Sequence, residues 1–92
     1  MEFLVRIQVN FPPDISPDQL ADVLEREVIR GRELKDAGTI VRIWRIPGRR
    51  ANVGIWSGDT ADAIHEAIMS LPVFPWIDAH VTALATHHLE AD

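Results

Sequence analysis

Glu27 is the residue of this chain whose type and position point most directly to chemistry. After Ser16 the sequence takes a helical period, and at ~100° per residue Leu20, Val23, Leu24, Gly31 and Leu34 share one stripe. Glu27 falls about 20° from Leu20 on that stripe, which directs its carboxylate inward. Burial disfavours a charged carboxylate and is costly unless something pairs with it. Two roles fit. Glu27 is either a structural glutamate bridged to an inward arginine such as Arg6 or Arg45, or a general acid–base in a water-poor pocket. Gly31, one turn on, leaves space where a side chain would otherwise fill the interior.

A second group of candidates surrounds the Pro47-Gly48 turn. Guanidinium groups bind carboxylates bidentately, so Arg45 and Arg50 are candidates for holding an anionic substrate. Solvated charge at a hairpin tip is the alternative for both and the better account of Arg49. Trp44 is an aromatic candidate beside Arg45, although Trp44, Trp56, Phe74 and Trp76 are first of all packing residues. His65, at the edge of a second apolar helical stripe, either lines a pocket or is a partly exposed structural histidine. No metal site is expected. His65-Glu66 lacks the second histidine of H-E-x-x-H, and the adjacent His87-His88 have no third ligand.

The elements that must position these residues follow from patterning. Phe3, Val5, Ile7 and Val9 alternate with Leu4, Arg6 and Gln8, the period of a strand over Phe3–Asn10 that ends at Pro12-Pro13. Ser16-Pro17-Asp18-Gln19 is a capping box opening a helix that runs to about Asp36, with Gly38 as its stop. Thr39–Ile46 and Ala51–Trp56 read as a hairpin pair, the second strand setting Ala51, Val53 and Ile55 on one face. Asp59 or Thr60 caps a second helix through about Ser70, with Ala61, Ile64, Ile68 and Leu71 inward. A proline-locked connection, Leu71–Trp76, leads to a strand at His80–Leu84, whose start can lie as early as Ile77. Thr86–Asp92 is a polar tail. The order βαββαβ indicates an α+β, ferredoxin-like sandwich: one domain over 1–92, a four-stranded antiparallel sheet with two helices on one face.

Composition narrows the function. The net charge is −5 and there is no cysteine. The charge argues against nucleic acid as the main partner. An RNA-binding sheet of this topology needs aromatics with basic neighbours on its third strand, and Ala51–Trp56 supplies one late tryptophan. Missing thiols exclude disulfides, thiolate nucleophiles and thiolate metal sites. The longest uncharged run, Ala67–Ile77, has 11 residues and two prolines, so no membrane span is expected, and with no signal-peptide pattern a cytoplasmic protein is the default. A chain of this size has a modest core, which favours self-association.

Several segments together resemble the muconolactone Δ-isomerases. They are Trp44-Arg45-Ile46 with Gly48 and Ala51-Asn52, and Leu71-Pro72-Val73-Phe74-Pro75-Trp76-Ile77-Asp78 with Val81, Thr82 and Leu84. Phe3, Val5-Arg6, Val9, Pro12 and Asp14 fit as well. The resemblance implies ferredoxin-like subunits that close their sheets by dimerisation, assembled into a homo-oligomer of dimers up to a decamer. It implies cofactor-free isomerisation of a small anionic lactone, muconolactone, to 3-oxoadipate enol-lactone in aromatic catabolism. It places the family's acidic residue at Glu27, as the shuttling base. An arginine would then anchor the carboxylate arm, and backbone N–H groups or Asn52 would stabilise the oxyanion. The chain departs from the family at Val28, where a lysine is expected, and at Arg50, where a tyrosine is expected. A dehalogenating or other small-lactone enzyme of this fold, or an inactive ligand-binding oligomer, are the alternatives.

Overall fold

The computed structural model describes residues 1–90, so the last two residues of the expected tail lie outside the described residues. Its elements are β1 (Glu2–Val9), α1 (Pro17–Asp36), β2 (Ile40–Arg45), β3 (Ala51–Ser57), α2 (Ala61–Met69) and β4 (Ile77–Leu84). The strands form one antiparallel sheet in the order β2-β3-β1-β4. This is the expected βαββαβ sandwich, with β4 taking the earlier of its two starts. Single-turn 3-10 helices occupy Phe74–Trp76, inside the proline-rich connection, and His88–Glu90. No helix among the described residues is long and apolar enough to cross a membrane.

Local chemistry sets the helix ends. Ser16 Oγ accepts from the Gln19 amide at 3.1 Å, and Pro17 opens α1 with φ already suited to it. At the other end Gly38 has φ +80°, and the Gly38 and Thr39 amides bond back to the Lys35 and Leu34 carbonyls. That left-handed position is open to glycine at little cost. Thr60 caps α2 through the Ala63 amide.

Both helices cover the same face. Phe3, Val5 and Ile7 stand opposite Trp56, Gly54 and Asn52 in the β1–β3 register, so these six point to one side. Val23 and Leu34 of α1 and Ile64 and Ile68 of α2 join Phe3, Val5, Ile7, Ile40 and Trp56 in the core. The inward set of β3 is therefore Asn52, Gly54 and Trp56, while Ala51, Val53 and Ile55 share the other face. Both faces of this strand carry apolar residues, so alternation alone does not choose its phase; pairing to β1 does.

A β-bulge determines what β2 presents. Ile40 pairs with Trp56 and Arg42 with Ile55, leaving Val41 as the extra residue. Lys35 Nζ from α1 donates to the Val41 carbonyl at 2.6 Å, satisfying it at the bulge. Across the ladder, a Cβ on Gly54 would lie 2.5 Å from the Arg42 carbonyl oxygen, so only glycine lets the backbones approach this closely. The bulge places Ile40, Ile43 and Arg45 on the helix side, although 40 and 45 would face opposite ways in an unbroken strand.

Candidate active site

A cavity of about 870 Å³ opens between α1, the β2–β3 hairpin and the segment around Leu71 and Val73. Its floor is the helix side of the sheet, including Ile7, Asn52 and Trp56; Leu24, Glu27 and Gly31 form the α1 wall. Arg45, Arg49 and Arg50 line the hairpin end. Leu24, placed by its spacing on the inward stripe, is 36% exposed because it borders this opening and not the closed core.

Glu27 is half-buried, and its Oε1 accepts from the Val73 amide at 3.2 Å. Prolines at 72 and 75 bracket that amide in a turn in which the Phe74 amide bonds the Leu71 carbonyl and the Trp76 amide the Val73 carbonyl. A rigid connection thus presents a backbone donor to the carboxylate. Desolvation pushes the Glu27 carboxyl above its ordinary range, and the Val73 hydrogen bond offsets this only in part. Glu27 has no salt bridge among the described residues. Arg6 cannot provide one, since it pairs with Val53 and His80 on the face the helices leave open. Beside Glu27, Gly31 leaves open space: a Cβ there meets nothing within 4 Å.

The structure brings four of the sequence candidates, Glu27, Arg45, Arg50 and Asn52, to one cavity. Arg45 and Asn52 are direct partners across the β2–β3 ladder and project to the same side. Arg50 places its guanidinium 5.2 Å from the centre of the Phe11 ring, a cavity residue. Arg49, read from sequence as solvated charge, also lines the cavity. Trp44 and His65 are not brought to it. Trp44 alternates with Arg45, so it lies on the open face, where the Arg42 guanidinium sits 5.0 Å from its ring centre. His65 is exposed on α2, whose inward positions are taken by Ile64 and Ile68.

Two features of the site were not anticipated. One is the Val73 amide, a backbone donor that residue types cannot announce; the proline bracket was its only trace. The other is Trp56, which lines the cavity floor while its indole Nε1 is buried without a partner among the described residues, as is Asn52 Oδ1. The site therefore combines one desolvated carboxylate, a carboxamide and three guanidinium groups. It suits proton transfer on a small anion.

A family model for muconolactone delta-isomerase matches residues 1–90. The chain belongs to this family. It is 36% identical over 87 residues to a muconolactone delta-isomerase of Cupriavidus pinatubonensis, covering 95% of each chain. With the muconolactone delta-isomerase of Rhodococcus opacus it shares 33% identity over 92% of this chain and 91% of that one. The crystal structure of a muconolactone isomerase superposes with a TM-score of 0.91 at 30% identity, covering all of this chain and 96% of the other. Family membership and the four-stranded antiparallel sheet with two helices agree.

Proposed function

We propose that the protein is a cofactor-independent isomerase of muconolactone or a close analogue, with Glu27 as its shuttling base. The observation that carries this reading is Glu27 itself: a desolvated carboxylate at a cavity wall, bound to a backbone amide and to no arginine among the described residues.

The chemistry follows from that placement. Muconolactone is an unsaturated five-membered lactone with a carboxylate arm. A Glu27 oxygen takes the ring proton beside the lactone oxygen, and the C–H electron pair delocalises through the double bond onto the carbonyl oxygen. The resulting dienolate accepts the same proton at the carbon next to the carbonyl, so the double bond moves and Glu27 is regenerated. A raised carboxyl pKa suits both halves, because the group must accept the proton and give it back. Asn52 supplies the polar group for the developing oxyanion, and Arg45, its ladder partner, anchors the carboxylate arm.

The same reading includes a homo-oligomer built from dimers in the cytoplasm. The exposed apolar residues Leu4, Trp44 and Leu84 on the helix-free face support dimer closure of the sheet.

An ultraviolet assay with (+)-muconolactone tests the function. Wild type is expected to turn over, and Glu27→Gln to lose at least about 10³-fold in kcat while keeping its fold by circular dichroism. Comparable turnover by a folded Glu27→Gln protein would rule the mechanism out.

A further inference from the structure

We propose that the cavity is built for a lactone carrying two carboxylates, one more than muconolactone has; this rests on the isomerase reading above. Three arginines, Arg45, Arg49 and Arg50, line one end of the cavity, and Glu27 is the only acid among its lining residues. None of the three forms an ion pair or a side-chain hydrogen bond with any described residue. The chain as a whole runs the other way, with 14 acidic residues against 9 lysines and arginines. Acids are thus plentiful, yet they stay away from this rim.

With Glu27 ionised, two of the three positive charges remain without a counter-charge at the cavity. A singly charged lactone neutralises one of them. A lactone with two carboxylates neutralises both. The backbone separates the roles. Arg45 is held by strand register opposite Asn52, and in the isomerase reading it takes the carboxylate arm. Arg49 and Arg50 belong to the turn after Gly48, and Arg50 rests against the Phe11 ring, so its fork has no protein acceptor. They form the second anion-binding position. A cavity of about 870 Å³ leaves ample room for the extra group. Because these side chains are exposed, the preference is sensitive to salt.

Initial rates decide the matter, measured with muconolactone and with its analogue in which a succinate replaces the acetate arm. The doubly charged lactone is expected to show kcat/KM higher by about tenfold or more, the scale of one added charge-assisted contact. That ratio should shrink with ionic strength, and Arg49→Gln or Arg50→Gln should each lower it by about threefold or more. Equal kcat/KM for the two lactones, or a ratio indifferent to both substitutions, overturns the proposal. So does an unchanged ratio accompanied by loss of oligomer in the variants, which would assign these arginines to acids of a second copy. If neither lactone is turned over, the isomerase reading fails on its own. Calorimetry with the same two compounds then settles this one: tighter binding of the doubly charged lactone, weakened by Arg50→Gln, upholds it, and equal binding overturns it.

Discussion

The Glu27 carboxyl sits between two opposing influences, burial that favours its neutral form and an amide that favours its charged one, and burial wins. The sign of the pH dependence follows. In the unfolded chain the carboxyl ionises near its ordinary value of 4.5; in the fold it holds its proton to higher pH. Between those two values the native state binds more protons than the unfolded state, so stability falls as pH rises through this window. Denaturant titrations at a series of pH values should therefore show a declining contribution in wild type that Glu27→Gln lacks. If the two proteins follow the same slope, Glu27 is not desolvated. The activity should climb across the same window, as the carboxylate forms. Glu27 was legible in the sequence because its position on a helical stripe is a matter of counting. Its missing arginine was not, since whether Arg6 faces it depends on which side of the sheet the helices cover.

Elements carried the next layer of information unevenly. Both ends of the α1 helix were readable, because its cap, its first-turn proline and its terminal glycine are local signals. The hairpin was readable as two strands, but the phases of β2 and β3 were not. A bulge at Val41 and pairing to β1 are non-local, and together they turn Arg45 and Asn52 inward and Trp44 outward. Gly31 is where helix and cavity meet. Its φ is not in the left-handed region and a Cβ there touches nothing, so the glycine serves the cavity and not the backbone. Gly31→Ala should raise stability by about 0.5–1 kcal/mol in chemical denaturation, as expected in a helix interior. Gly31→Leu should keep the fold and raise KM markedly by occupying substrate space. A Gly31→Leu enzyme with wild-type KM would show that the ligand lies elsewhere.

At the scale of the whole molecule, the sheet is covered on one face only. Leu4, near the middle of the open face, is 38% exposed, and Leu84, on the same face of β4, is exposed as well. Such a surface fits the proposed dimer, and Leu4→Lys should reduce the sedimenting mass towards that of a single chain while leaving secondary structure intact. An unchanged mass would remove this face from the assembly. Composition hinted at self-association, yet no pattern in the chain names the partner surface, because apolar residues alternate on both sides of β3. The hydrogen bond from Val73 to Glu27 has a further consequence. It joins residues 46 positions apart, half the chain, and the cavity between them takes walls from both βαβ halves. A nascent chain that has delivered α1 and the hairpin has the glutamate and the arginines but no amide to orient the one and no far wall to enclose the others. Contacts of such long sequence separation close late. Neither half of the pair contains the candidate site, so Glu27 gains its desolvated, amide-bonded setting only when the fold is complete.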